Sequence, residues 1–267
     1  LPVNRAIPFI QKIEEDSEVI PPYTEATAMK HGWCWKIPAG NRFGCGYVFD
    51  KNRISDEEAK KEIDQLTGAD NDIKRVFSFE AGVYDTPWMK NCISLGLSSG
   101  FIEPLEATSI WVTIMSLQYL NTFTKGITHR DQKSLDFYNK KVNNLNNEIL
   151  NFVYFHYLTR RTDTDFWKNF YEDNKTPNIV EELISNDCDP MFFATNTGLK
   201  YFEIMSWLQV GAGTKFFNKE KVNDTFNALV SGKFREFYIN KKQVHLDNIK
   251  VVSSGVIDHK SYLQFIS

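Results

Sequence analysis

The period at which apolar residues recur changes along this chain, and that change restricts the fold more than any other feature. Around residues 33 to 49 the side chains alternate, as in Gly32-Trp33-Cys34-Trp35-Lys36-Ile37-Pro38 and Arg42-Phe43-Gly44-Cys45-Gly46-Tyr47-Val48-Phe49. Alternation places every second side chain on the same face of a strand, so the two segments predict neighbouring strands or a hairpin. Past Pro104 the period lengthens: Ile110, Trp111, Ile114, Leu117 and Leu120 predict a helix starting near Glu106. Leu135, Tyr138, Val142, Leu145, Ile149, Phe152 and His156 then mark the apolar face of a long helix, with Asn and Lys between them on the other face. The fold class expected is α+β, a sheet-containing front followed by a mainly helical back.

Local signals refine this outline. Ser55-Asp56-Glu57-Glu58 has the form of a capping box, followed by Ala59, Ile63 and Leu66 at helical spacing and a stop at Gly68. Ile73–Glu80 alternates as a strand, and the glycines of Arg42–Phe49 would admit the close approach of another backbone. Segments 166–171, 179–184, 199–210 and 222–229 read as further helices.

Composition excludes several classes of function. A net charge of −3 over 267 residues, with no basic run longer than the pairs Lys60-Lys61 and Lys241-Lys242, argues against nucleic-acid binding. The four cysteines lack metal or C-x-x-C spacing, which points to reduced thiols and a cytoplasmic setting, with no metal site. No apolar run is long enough for a membrane span. The start at Leu1-Pro2-Val3-Asn4-Arg5 reads as mid-chain, so a piece of a longer polypeptide is expected.

The chemistry concentrates at Glu103-Pro104-Leu105-Glu106-Ala107-Thr108-Ser109. A helix amino terminus presents unsatisfied N–H groups and positive dipole, so Thr108 and Ser109 could cradle a halide, phosphate or carboxylate. The two glutamates could equally occupy a first turn simply because acids are favoured there. The five histidines form no ligand spacing, and His156, on an apolar helix face, reads as a hydrogen-bonded core residue. No G-x-S-x-G elbow supports a serine hydrolase, and no sugar cleft supports Glu103 and Glu106 as glycosidase acids.

Trp33-x-Trp35-x-Ile37-Pro38 and Gly96-Leu97-Ser98-Ser99-Gly100-Phe101-Ile102-Glu103-Pro104-Leu105-Glu106-Ala107-Thr108-Ser109-Ile110 together resemble the flavin-dependent tryptophan halogenases. Shorter matches run in the same order, among them Leu1–Ala6, Pro22-Tyr23-Thr24, Arg42-x-Gly44-x-Gly46-Tyr47-Val48, Trp88-x-x-Asn91-Cys92 and Phe166-Trp167. The resemblance implies a flavin-monooxygenase-like FAD and substrate domain, with residues 1–125 its flavin and halide side and 126–267 a mainly helical substrate side. It implies reduced FAD supplied by a separate flavin reductase, and halide as co-substrate. Hypohalous acid would be delivered through a tunnel to a small aromatic substrate such as tryptophan or another indole. Homo-oligomers are compatible with it.

Carried over residue by residue, Glu106 is the carboxylate that assists proton removal from the substrate ring or polarises the hypohalous species, and Thr108 and Ser109 hold halide. Leu97 and Ile110 touch FAD through backbone atoms, and Trp33, Trp35, Ile37 and Pro38 wall the tunnel. Ala107 and Ser109 stand where the family has Ser and Gly, which removes a hydroxyl and adds a side chain, so bromide or iodide rank beside chloride. The family's G-x-G-x-x-G fingerprint and essential Lys have no counterpart in these residues, and Lys36 and Lys90 do not substitute for it. These residues alone are therefore expected to be inactive. A flavin monooxygenase that uses no halide, or a non-catalytic helical binding module on the same scaffold, are the alternatives. Tyr201, Phe202, Trp207, Phe216 and Phe217 are the aromatic candidates for substrate contact, at a spacing that equally suits a core.

Overall fold

The computed structural model describes residues 1–13, 20–69, 71, 73, 75–122, 131–191 and 198–229, with 240, 243, 244, 246 and 247. It divides into two compact units, one of Arg5–Phe77 with residues from Lys219 onward, the other of Leu1–Asn4 with Ser78–Asn218. The expected boundary at 125/126, the pair Lys241-Lys242, and His129, His245 and His259 lie outside the described residues.

The first unit is built on a sheet. Strands β1 (Arg5–Lys12), β2 (Glu25–Ala28), β3 (Gly32–Ala39) and β4 (Arg42–Phe49) run antiparallel in the order β2-β3-β4-β1, with short β5 (Phe77–Ser78) on the β1 edge. β3 and β4 form the expected hairpin, turning through Gly40 at φ 64°, a left-handed conformation glycine enters at little cost. One face of the sheet buries Ile7, Phe9, Cys34, Cys45, Tyr47 and Phe49 against Met29, Ile54 and helix α1 (Asp56–Thr67). Helix α1 has the capping box read from sequence: the Ser55 hydroxyl accepts from the Glu58 N–H, the Glu58 carboxylate accepts from the Ser55 N–H, and Gly68 closes in the left-handed region.

Trp33 and Trp35 occupy the opposite face, their ring centroids 6.0 Å apart. The Trp35 ring lies against Gly46, its register partner on β4, where an added Cβ would come within 2.1 Å of the indole. The close approach expected at the β4 glycines is therefore that of a ring at Gly46, not of a second backbone.

The second unit is mainly helical. β6 (Gly82–Val83) pairs with β9 (Gly100–Phe101), and β7 (Trp88–Met89) with β8 (Cys92–Ile93). Helices α2 (Ser109–Thr122), α3 (Gln132–Tyr157), α4 (Asp165–Lys168), α5 (Phe170–Asp173), α6 (Asn178–Ser185) and α7 (Ile204–Gly213) follow, and α8 (Lys219–Leu229) belongs to the first unit. Asp131 caps α3 by accepting from the N–H groups of Lys133 and Ser134. The core centres on Phe152, which stacks on Phe202 at 4.0 Å and meets Trp207 edge-on at 5.0 Å.

Three elements depart from the sequence reading. The strand expected over Ile73–Glu80 is reduced to Phe77–Ser78. The helix expected over 199–210 begins only at Ile204, because the buried carboxylate of Glu148 accepts the N–H groups of Lys200, Tyr201 and Phe202 at 2.9, 2.7 and 2.9 Å. The helix expected from Glu106 begins at Ser109, after a single 3-10 turn at Leu105–Ala107. On α3 the interleaved polar residues do not all face solvent: Asn139, Asn146 and Glu148 are buried. Among the described residues no helix is long and apolar enough to cross a membrane.

Candidate functional site

The chain enters α2 through an unusual backbone. Glu106 and Ala107 have φ of 68° and 48°, two consecutive non-glycine residues in the left-handed region. Such conformations cost on the order of 1–3 kcal/mol each and persist where the surroundings impose them. The turn lifts Glu106 out of the helix it was expected to begin, so its carboxylate is 37% exposed. Ser109 itself has an ordinary helical backbone, so the serine at this position meets no torsional penalty.

Thr108 accepts the Val112 N–H through its carbonyl and leaves the first N–H groups of α2 without intrahelical partners. At this helix end lies a small cavity of about 20 Å³, lined among others by Gly96, Ser99, Thr108, Ser109 and Asn146. Ser99, Thr108 and Asn146 are all buried, Asn146 to 5% exposure. A volume of this size admits one water or one monatomic ion. Val83, Phe101, Ile102 and Val112 complete the lining, so a polar occupant would find its partners only on the side of Ser99, Thr108, Ser109 and Asn146. Beside it, Leu97 and Ile110 are 77% and 74% exposed, two large apolar side chains turned outward at the mouth of a helix terminus.

Glu106 is held by α3. Its Oε1 lies 2.9 Å from His156 Nε2, and His156 Nδ1 lies 2.8 Å from the Phe152 carbonyl oxygen. His156 is thus hydrogen-bonded, as expected, but half-buried and not enclosed in the core, and in addition it grips the carboxylate that sequence reading singled out. Fifty residues separate the two, and no local pattern signals the pairing.

A second carboxylate stands behind the first. Glu103 is 1% exposed, and its Oε2 accepts from the Tyr157 hydroxyl at 2.5 Å. Oε1 makes no hydrogen bond among the described residues, although the Leu105 N–H lies near enough to favour the charged form. Burial pushes this carboxyl up to about 7, against the opposing pull of Tyr157, Leu105 and the charge of His156.

The structure therefore gathers Glu106, Thr108, Ser109 and Ile110 on one turn and the helix end that follows it, while Leu97 lies on a separate 3-10 turn, Gly96–Ser98. Trp33, Trp35, Ile37 and Pro38 lie on β3 of the other unit; Trp33 is buried and Ile37 exposed. Of the aromatic candidates, Trp207 and Phe217 are core residues, and the Phe217 ring sits on Gly211. Tyr201 lines a separate recess of about 420 Å³ with Asn144, Asn151 and Glu182, and its hydroxyl accepts from Tyr119 at 3.2 Å. Burial pushes the Cys34 thiol up to about 12, which makes it a packing residue and not a nucleophile. No cluster among the described residues could hold a metal ion.

The tryptophan halogenase family model matches residues 1–227. Tryptophan 6-halogenase SttH of Streptomyces toxytricini is 35% identical over 188 residues, 68% of this chain and 35% of that protein. Tryptophan 7-halogenase RebH of Lentzea aerocolonigenes is 34% identical over 163 residues, 58% of this chain and 30% of that one. Among solved structures, BrvH, a flavin-dependent halogenase from Brevundimonas sp. BAL3, superposes with a TM-score of 0.79 at 27% identity, over 100% of this chain and 53% of its own. A tryptophan halogenase structure from Shewanella frigidimarina reaches a TM-score of 0.85 at 20% identity, a likeness of fold, over 98% of this chain and 50% of its own. The chain spans about a third of the length of the curated relatives it matches.

Proposed function

We propose, on the premise that the chain belongs to the tryptophan halogenase family, that the full chain halogenates an electron-rich aromatic substrate such as tryptophan or another indole, using reduced FAD, oxygen and halide. The observation that carries this reading is the exposed Glu106 carboxylate, anchored at one oxygen by His156 and followed two residues later by a small cavity in which Ser99, Thr108, Ser109 and Asn146 stand among apolar side chains.

Reduced FAD, when bound, would activate molecular oxygen, and that oxygen is the oxidant that converts halide to hypohalous acid. Leu97 and Ile110 would contact the flavin through backbone atoms, their side chains being exposed. Thr108 and Ser109 hold the halide with helix N–H groups and dipole, and Ser99 and Asn146 close the cavity around it. Glu106 takes the proton released from the substrate ring, and its second oxygen is the one available for it. Trp33, Trp35, Ile37 and Pro38 wall the passage that keeps substrate and cofactor apart. A separate reductase supplies the reduced flavin, and a cytoplasmic location suits that supply. Residues 96–110 contribute Glu106 and the halide cradle, and the phosphate-binding part of the flavin site comes from elsewhere in the full chain.

Glu106→Gln in the full chain tests the reading. Product mass spectrometry with chloride or bromide should show turnover reduced by about 100-fold or more while flavin binding is unchanged. Undiminished halogenation would sink the assignment of Glu106. An oxygenated, halide-independent product would replace the halogenase by a monooxygenase.

A further inference from the structure

We infer that His156 is the positioning residue for Glu106 and that a single proton is shared between His156 Nε2 and Glu106 Oε1. The inference rests on the halogenase reading for its kinetic consequence, but not for its geometry.

The argument turns on what each ring nitrogen faces. Nδ1 lies 2.8 Å from the Phe152 carbonyl oxygen, which can only accept, so Nδ1 carries a hydrogen. This fixes the tautomer and ring orientation and leaves Nε2 directed at the carboxylate 2.9 Å away. Two arrangements satisfy that contact, imidazolium with carboxylate or neutral imidazole with carboxylic acid, and they contain the same number of protons. Removing that proton breaks the hydrogen bond and leaves Glu106 held only by its own strained backbone at φ 68°.

The consequence is a division of labour between the two carboxylate oxygens. Oε1 is occupied by the imidazole, so Oε2 is the atom presented outward. A carboxylate anchored at one oxygen presents the other in one orientation, which is what general-base work requires. The edge of the Phe152 ring, with centroids 4.8 Å apart, supports the imidazole from its own helix. The titratable groups facing His156 from other segments, among the described residues, are Glu106 and the buried Glu103, whose charge also acts on it. Glu103 in turn is tied to Tyr157, the residue after His156.

His156→Asn retains a donor for the Phe152 carbonyl but cannot reach Glu106, whereas His156→Gln offers a neutral donor towards Glu106 without a shared proton. In the full chain, His156→Asn should lower kcat about tenfold or more with KM for the aromatic substrate and flavin affinity within about twofold. His156→Gln should recover part of that loss while flattening the acidic and basic limbs of the kcat profile. Independently of turnover, imidazole ¹⁵N spectra of the full chain should show Nδ1 of His156 protonated, and Nε2 should shift in Glu106→Gln. A His156 Nε2 signal indifferent to Glu106→Gln, or a His156→Gln pH profile identical to that of the parent, would overturn the inference. If the parent chain performs no halogenation, the proposed function falls, and the spectra still decide whether the pair shares a proton.

Discussion

The Tyr157 hydroxyl donates to Glu103 Oε2 across 2.5 Å in a site from which solvent is excluded. A single hydrogen bond does not replace the hydration a carboxylate loses on burial, which is why this group is pushed up to about 7.

Stability should therefore depend on pH through Glu103. With its folded value raised from 4.5 to about 7, the native state binds the proton more tightly than the unfolded chain. The associated stabilisation is fully present below about pH 4.5 and is lost as pH rises through about 7, on the order of 3 kcal/mol in total. Denaturant titrations of the parent and Glu103→Gln between those limits should show this slope in the parent and a flatter dependence in the variant. Parallel curves would refute it.

Ala107→Gly should raise stability, contrary to the usual cost of glycine. At φ 48° the alanine Cβ is strained, and glycine relieves it by about 1 kcal/mol, partly offset by greater freedom in the unfolded chain. Thermal unfolding measures the first effect. Turnover of the full chain should fall by a few fold as the Glu106 turn loosens, and a lower melting temperature would contradict the strain argument.

Gly46→Ala should destabilise the first unit by about 1–3 kcal/mol, because the new Cβ meets the Trp35 indole at 2.1 Å. The same substitution in a Trp35→Ala background should cost far less. A double-mutant cycle read by denaturant unfolding checks the coupling, and additive effects would show that the ring does not rest on Gly46.

Asn146→Leu should raise KM for halide several fold with little change in KM for the aromatic substrate, because it replaces a buried amide by an apolar group at a cavity for one ion. Halide titrations at saturating substrate measure this. Equal effects on both constants would mean that Asn146 serves packing alone.

Local signals were the legible part of this chain. Ser55, Glu58 and Gly68 delimit α1 because capping and helix termination act within four residues, and the apolar face from Leu135 to Phe152 identifies α3 by its period alone. Motif residues likewise pointed to Glu106 and Thr108. The illegible parts all depend on partners distant in sequence. Asn139 reads as a solvent-facing polar residue, yet it is buried because it pairs with both the N–H and the carbonyl of Trp88, at 2.8 and 2.9 Å. Glu148, on the same helix, is buried because its carboxylate accepts the N–H groups of residues 200–202, partners about fifty residues away. The left-handed turn at Glu106-Ala107 contains no glycine to announce it, so the helix start was placed three residues early.

Helix α3 acts as a vernier for the segment that precedes α2. Asn139 grips Trp88, Asn143 donates to the Asp85 carbonyl at 2.7 Å, Asn146 reaches the Thr108 cavity, His156 meets Glu106 and Tyr157 meets Glu103. These marks recur along about 25 Å of one rod, at 1.5 Å per residue. Sliding the rod by a single residue turns each mark by about 100° and takes all of them off the segment at once. An insertion or deletion anywhere between 139 and 156 should therefore abolish the Glu106 geometry outright, even where every motif residue is retained, and aligned relatives should differ there by substitution and not by length.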